Sequence, residues 1–117
     1  MAITIYHNPR CSKSRKALEI INSRGLEPRI VRYLETPPSA VTLEELARLL
    51  GLSVADLLRT AEAEYRVATD LPAIDDDTAL AGWLAAHPRV LQRPIVVDED
   101  RGRAVLGRPP ENVLDLL

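Results

Sequence analysis

The sequence predicts an α/β fold in which a βαβ unit and a ββα unit share one sheet and are separated by a helical insertion. Three observations support this prediction. A strand-like run at residues 3–6 is followed by a loop and then by apolar residues at helical spacing. The middle of the chain, from about residue 40 to residue 90, contains repeated helix-start signals. Two strand-like runs near the C terminus flank a short polar turn, which is typical of a β-hairpin.

The N-terminal unit is predicted to be a strand, a loop, a helix and a second strand. The first strand stops at Asn8-Pro9, because asparagine and proline favour turns. The helix begins near Lys13 and ends at Gly25, a residue type common just after the last helical turn. The second strand, residues 29–34, ends before Pro37-Pro38. We expect this βαβ unit to have parallel strands and a right-handed crossover.

The middle of the chain is predicted to be helical. Thr42 and Glu45 have the spacing of a capping box ahead of an apolar run, and Ser53 and Asp56 repeat that spacing. A further helix begins near Asp76 and ends before the His-Pro pair at positions 87 and 88. We therefore expect a helical insertion over about residues 40–90.

The C-terminal unit is predicted to be a hairpin and a short helix. Its strands cover residues 95–97 and 104–106, and the helix begins at Pro109-Pro110, since proline is tolerated in a first helical turn. The complete order of elements is that of a thioredoxin- or glutaredoxin-like core with an insertion between its second and third strands. We expect a single domain over residues 1–117.

Composition and charge limit the functions that this chain can have. Its 117 residues are 46% hydrophobic and 27% charged, which is ordinary for a globular protein. The formal net charge of −2 gives no general attraction to nucleic acid or to an anionic membrane. No apolar stretch approaches the roughly 20 residues needed to span a bilayer. We expect a cytoplasmic monomer without a bound cofactor.

Cysteine chemistry is the strongest functional signal in the sequence. Cys11 is the only cysteine, and it lies where the first helix is predicted to begin. Unpaired backbone N–H groups and the helix dipole stabilise a thiolate there. The basic residues Lys13, Arg15 and Lys16 would add to this if they point inward, although their charges oppose the helix dipole. Cys11 is therefore a candidate nucleophile. The alternative is a small buried hydrophobic residue, a common environment for a lone cysteine.

Several other kinds of site are disfavoured by the spacing of the residues. Only three residues separate Cys11 from Arg15, fewer than in the phosphate-binding loops of cysteine phosphatases. Ser14 stands where a Cys-x-x-Cys redox pair would have its second thiol. One cysteine and two distant histidines do not form a zinc site, and the run Asp75-Asp76-Asp77 is typical of a helix cap. We expect no metal.

Two arginines and two loop residues could assist the thiol. Arg93 precedes Pro94 at the start of the third strand, which faces the active cysteine in thioredoxin-type folds, and Arg108 follows the fourth strand. Guanidinium groups that converge on one site bind oxyanions through paired hydrogen bonds. His7 and Asn8 lie on the approach to the cysteine and could tune the thiol or bind the loop. They could equally be simple turn-forming residues.

Five segments resemble the glutaredoxin-coupled, ArsC-type arsenate reductase family. The likeness covers nearly the whole chain, and the sequence is similar to a less-characterised branch, because Ser12 and Lys13 replace the glycine and threonine found in well-characterised members. The segments are Tyr6-His7-Asn8-Pro9-Arg10-Cys11-Ser12-Lys13-Ser14-Arg15, Tyr33-Leu34-Glu35-Thr36-Pro37-Pro38, Leu57-Leu58-Arg59, Arg93-Pro94-Ile95-Val96-Val97 and Gly107-Arg108-Pro109-Pro110-Glu111.

The resemblance implies an enzyme that reduces arsenate to arsenite. Cys11 would be the catalytic thiolate, and Arg59, Arg93 and Arg108 would bind arsenate and the thiol-arsenate intermediate. Pro94 would follow a cis peptide bond. Glutathione would be the co-substrate, and glutaredoxin would resolve the mixed disulfide. The supporting residues would be His7, Asn8, Ser14 and Arg15.

Two alternatives of the same fold remain open. The chain could be a glutathione-dependent thiol reductase that acts on another substrate. It could also be a regulator or interaction domain without enzymatic activity, although such regulators of this fold usually carry a Cys-x-x-Cys switch, which Ser14 interrupts.

Overall fold

The computed structural model describes residues 2–117. Within these residues the chain divides into two compact units, one formed by residues 2–36 and 93–117 and the other by residues 37–92. No helix in this part of the chain is long and apolar enough to cross a membrane.

The first unit is built on a four-stranded sheet with the order β2-β1-β3-β4. β1 pairs in parallel with β2, and Ile5 lies opposite Ile30. β3 runs antiparallel to both β1 and β4. The strands are β1 (Ile3–His7), β2 (Arg29–Arg32), β3 (Ile95–Asp98) and β4 (Arg103–Leu106). The predicted parallel pair, hairpin and α/β class are confirmed.

Helix α1 (Ser12–Ser23) connects the two parallel strands. Arg24 is its C-cap, and Gly25 follows with a φ of 74°, a left-handed conformation that glycine adopts without strain. The helix, the sheet and the C-terminal segment of the chain bury a common apolar cluster made of Ile3, Ile5, Ala17, Ile21, Val96, Val113 and Leu116. Because side chains of α1 and of the central strands are buried together, the N-terminal end of α1 is held close to the end of β1.

The second unit consists of helices and turns. It contains α2 (Ala40–Leu50), the short α3 (Ala63–Arg66) and α4 (Asp77–Ala86), and α2 packs against α4. Asp76 caps α4, as the sequence predicts, because its side chain accepts a hydrogen bond from the Ala79 N–H. Trp83 on α4 is buried, and its indole N–H donates to Asp70 at 3.0 Å.

Four predicted elements differ from the structure. The capping residue of α2 is Ser39 and not Thr42, because the helix begins one turn earlier than its apolar run. β2 stops at Arg32, where the chain turns and the N–H groups of Glu35 and Thr36 both bond back to the Arg32 carbonyl. The helices predicted after Ser53 and after the C-terminal prolines are tighter 3₁₀ segments, Val54–Leu57 and Pro110–Asp115.

Substitution of the two competing cap residues separates the predicted from the observed start of α2. The Ser39 hydroxyl accepts a hydrogen bond from the Thr42 N–H at 3.2 Å. Ser39→Ala removes this cap and should lower the free energy of unfolding by about 1 kcal/mol. Thr42→Ala keeps the cap and should cost less. Urea unfolding of both variants measures the difference, and a larger loss for Thr42→Ala would contradict the assignment.

Candidate active site

Cys11 occupies the N-cap position of α1. Its backbone is extended, with φ −93° and ψ 122°, and its carbonyl accepts a hydrogen bond from the Arg15 N–H at 3.0 Å. The side chain is partly exposed, so the sulfur is not sealed in the core. The first residues of the helix, Ser12-Lys13-Ser14, contain no acidic side chain that would repel an anion. The N-terminal end of α1 therefore favours the thiolate form of Cys11.

Opposing influences set the pKa of Cys11. Partial burial raises it, since removal from water disfavours the charged form. Hydrogen bonding from the Ser14 N–H, the Arg93 side chain and the Lys13 N–H lowers it, and the positive charge of Arg93 lowers it further. The lowering influences win, so the pKa of Cys11 lies below the ordinary value for a cysteine. A larger fraction of the thiol is ionised at neutral pH than in an unperturbed cysteine.

The buried side chain of Ser14 stabilises the loop that carries Cys11. Ser14 is fully buried, and its hydroxyl forms a 2.7 Å hydrogen bond with Nδ1 of His7. The same oxygen accepts a hydrogen bond from the Asn8 N–H at 3.0 Å. The end of β1 is thereby joined to the first turn of α1. Of the predicted supporting residues, His7, Asn8 and Ser14 thus form one network.

The loop also closes on itself around the cysteine. The Asn8 carbonyl accepts a hydrogen bond from the Cys11 N–H at 3.0 Å, and the Asn8 side chain accepts one from the Arg10 N–H. Arg15 donates from Nη1 to the Pro9 carbonyl at 3.0 Å. The side chain of Arg15 therefore clamps the loop. These contacts hold the cysteine backbone in a tight turn.

The surroundings of His7 lower its pKa and favour its neutral form. Burial lowers its pKa most, and the positive charges of Arg32 and Arg15 lower it further. A neutral imidazole carries one ring proton and can share a hydrogen bond with Ser14 in either direction. The lowered pKa of His7 thus favours an uncharged ring beside the thiolate at neutral pH.

Arg93 and Arg108 form a connected pair in the same unit as Cys11. The Arg108 guanidinium donates from Nη1 to the Arg93 carbonyl at 3.2 Å. The Nε atom of Arg93 is buried and has no hydrogen-bond partner among residues 2–117. A buried donor without a partner is costly, and it is available to bind an anion. The Arg93–Pro94 and Arg108–Pro109 peptide bonds are both cis, including the one before Pro94 that the resemblance implied.

Known proteins are similar to this chain over nearly its whole length. The model of the ArsC family matches residues 6–116. The chain belongs to the ArsC family. A protein of Escherichia coli K12 described only as the uncharacterized protein YfgD is 42% identical over 98% of this chain and 96% of its own length. A Neisseria meningitidis protein named arsenate reductase is 43% identical over 95% of this chain and 94% of its own length.

The solved structures support the same fold. The structure of an arsenate reductase from Vibrio cholerae is 42% identical in sequence and superposes with a TM-score of 0.87. The match covers 100% of this chain and 98% of the Vibrio cholerae chain. The thioredoxin-like fold class and the ArsC resemblance predicted from the sequence are thereby confirmed.

The third arginine implied by the resemblance lies in the helical unit of this ArsC-family chain. The Arg59 guanidinium pairs with the Glu62 carboxylate at 3.2 Å, and both side chains are partly buried. The Arg59 N–H donates to the Val90 carbonyl, and an isolated bridge between Leu58 and Leu91 continues this pairing. The assignment of Arg59 to anion binding depends on the resemblance alone.

Sequence reasoning missed Gly107 as a positioning residue. Its N–H donates to the Pro94 carbonyl at 2.8 Å, and a Cβ atom at this position would lie 2.7 Å from Cγ of Pro94. Only glycine allows this approach. Because Pro94 follows Arg93 and Gly107 precedes Arg108, the contact fixes the backbone of both arginines. No local pattern reveals it, since the two segments meet only in the folded chain.

The residues around Cys11 can be compared with the ligand sets that hold metal ions. Within residues 2–117, no three His, Cys, Asp or Glu side chains are grouped closely enough to hold a metal ion. The chemistry available at the loop is that of an activated thiolate next to guanidinium groups.

The pH dependence of alkylation tests the state of Cys11. Because its pKa is lowered, the rate of reaction with iodoacetamide should rise with pH around a midpoint below that of an unperturbed cysteine. Arg93→Ala removes a hydrogen bond and a positive charge, so this midpoint should move to higher pH. Arg24→Ala removes an exposed arginine at the other end of α1 and is the control. A midpoint unaffected by Arg93→Ala would contradict the proposed contact.

Gly107→Ala should disturb the arginine pair. The added methyl group must displace the rigid Pro94 ring, so we expect a loss of about 1–3 kcal/mol in the free energy of unfolding. We also expect the pKa of Cys11 to rise as Arg93 moves. Gly82→Ala on α4 is the matched control, because a methyl group there meets no atom within 4 Å, and it should preserve or increase stability. An unchanged alkylation profile for Gly107→Ala would refute the positioning role.

Proposed function

We propose that this chain is an oxidoreductase that reduces arsenate to arsenite, with glutathione and glutaredoxin as the source of electrons. The observation that carries the proposal is the Cys11 sulfur, which is held towards its thiolate form by Ser14, Arg93 and Lys13. Relatives that are named arsenate reductases and align over nearly the whole chain support the choice of substrate.

In the first step the Cys11 thiolate attacks the arsenic atom of arsenate. A sulfur–arsenic bond forms, and one arsenate oxygen leaves as water after protonation from solvent. Arsenic remains pentavalent in this thiol-arsenate adduct. The oxygens that stay on arsenic carry negative charge close to the arginine pair. The free Nε–H of Arg93 and the guanidinium of Arg108 supply donors for them.

In the second step the thiolate of glutathione attacks the Cys11 sulfur. A disulfide forms between Cys11 and glutathione, and the sulfur–arsenic bond breaks with its electron pair on arsenic. Arsenic is thereby reduced to the trivalent state and leaves as arsenite. A thiolate of glutaredoxin then attacks the mixed disulfide and releases the Cys11 thiolate.

The number of cysteines explains why the reducing thiols must come from other molecules. Cys11 is the only cysteine in the sequence, so no internal thiol can resolve the adduct or the mixed disulfide. The cytoplasm keeps such thiols reduced, and we place the reaction there. Arg59 would be the third group that binds arsenate, as the resemblance implies.

Direct product analysis tests this function. The protein is incubated with arsenate, glutathione and glutaredoxin, and arsenite is quantified. Wild type should form arsenite, whereas Cys11→Ser should not exceed the rate without enzyme. Arg93→Ala should lower kcat/KM for arsenate by about 100-fold or more, because it removes a charged donor from the transition state.

Two other outcomes would replace the proposal. If wild type formed no more arsenite than Cys11→Ser but reduced a glutathione mixed disulfide, the chain would be a thiol reductase with another substrate. If Cys11 also titrated like a free cysteine, a regulator or interaction domain without enzymatic activity would be the better assignment.

A further inference from the structure

A small cavity lies beside the loop that carries Cys11. Its volume is about 220 Å³, and two stretches of the chain line it, residues 7–10 and the group Arg32, Leu34 and Glu35. The first group belongs to the end of β1 and the loop, and the second to the end of β2 and the turn after it. The function proposed above assigns no role to this cavity.

Three of the lining residues carry charges that have no partner among residues 2–117. The side chains of Arg10, Arg32 and Glu35 make no hydrogen bond or ion pair with any other residue in the described part of the chain. Other charged residues of this protein do form such pairs, for example Arg48 with Glu45. The cavity thus presents two free guanidinium groups and one free carboxylate.

This set of charges is complementary to the free end of an α-amino acid. An α-carboxylate accepts paired hydrogen bonds from a guanidinium, and the neighbouring α-ammonium donates to a carboxylate. Glutathione has both groups on its γ-glutamyl residue, because that residue is linked through its side chain. The volume is below the roughly 300–1,000 Å³ of pockets that enclose a whole small ligand, so it suits one residue of a tripeptide.

We propose that this cavity binds the γ-glutamyl residue of glutathione, with its α-carboxylate on Arg10 and Arg32 and its α-ammonium on Glu35. The proposal rests on the proposed function, since it takes glutathione as the reductant.

The position of the cavity fits the reaction. Arg10 directly precedes Cys11, and the 3.0 Å hydrogen bond from the Cys11 N–H to the Asn8 carbonyl places both ends of this turn close together. A tripeptide held by its γ-glutamyl residue carries its thiol on the next residue. The cavity therefore anchors the reductant on the same loop that holds the sulfur to be attacked.

Binding of S-methylglutathione tests this site without any chemistry. The blocked thiol cannot react with Cys11, so a titration followed by backbone amide chemical shifts reports binding alone. The largest shifts should lie in the loop before Cys11 and in the turn after β2. Arg32→Gln and Glu35→Gln should each raise Kd about fivefold to tenfold, as expected for loss of a charged hydrogen bond at an exposed site.

The matched control is Arg24→Gln. Arg24 is an exposed arginine of the same unit, and its side chain forms no hydrogen bond or ion pair with residues 2–117. Its substitution should leave Kd unchanged. If Arg24→Gln weakened binding as much as Arg32→Gln, the effect would be one of net charge, and the proposed site would be wrong.

A modified ligand tests whether the α-ammonium group of the ligand binds Glu35. N-acetyl-S-methylglutathione lacks the α-ammonium and should bind wild type about fivefold to tenfold more weakly than S-methylglutathione. The Glu35→Gln variant should bind both ligands equally. Preserved discrimination in Glu35→Gln, or no saturable shift with wild type, would overturn the proposal.

This test is independent of arsenate. Loss of affinity confined to the cavity variants would support the glutathione site even if no arsenite were formed. If the protein formed arsenite but Arg32→Gln and Glu35→Gln left the Kd for S-methylglutathione unchanged, the reductase function would stand and the proposed site would be wrong.

Discussion

The stability of one anion, the Cys11 thiolate, is the constraint on which the site depends. Burial of the sulfur opposes ionisation, and hydrogen bonds from Ser14, Arg93 and Lys13 favour it. Two of these donors are backbone N–H groups left unpaired at the start of α1, so the helix itself supplies them. The third comes from a different segment of the chain. Thiolate formation therefore requires α1 and the segment before β3 to be placed correctly with respect to each other.

The sheet provides that placement. β1 leads into the cysteine loop, and β3, which follows Arg93-Pro94, pairs with β1 in an antiparallel register that sets Ile95 opposite Tyr6. The end of β1 and the start of β3 are thus neighbours by hydrogen bonding. Close packing of Gly107 on Pro94 then adds Arg108 to the same region. A thioredoxin-like core can in this way bring a cysteine and two arginines together although they are distant in sequence.

Local signals in the sequence explain which parts of this arrangement could be predicted. Asn8-Pro9 followed by apolar residues at helical spacing places Cys11 at the helix mouth, because turn preference and helical periodicity are both properties of neighbouring residues. The cap of α2 was predicted wrongly, since Ser39 and Thr42 are comparable capping residues and only the packed helix selects between them. The contact of Gly107 with Pro94, and the lack of partners for Arg32 and Glu35 among residues 2–117, depend on tertiary structure and have no local signature.

The Ser14 hydroxyl limits how protons can be arranged around the loop. This oxygen has one hydrogen and two lone pairs, and one lone pair is occupied by the Asn8 N–H. When neutral His7 carries its proton on Nε2, the hydroxyl hydrogen must point to Nδ1. A second proton on the imidazole would reverse the polarity of that bond and fill both lone pairs. The displaced hydroxyl hydrogen would then need a new acceptor, so protonation of the ring is relayed through the serine to its surroundings.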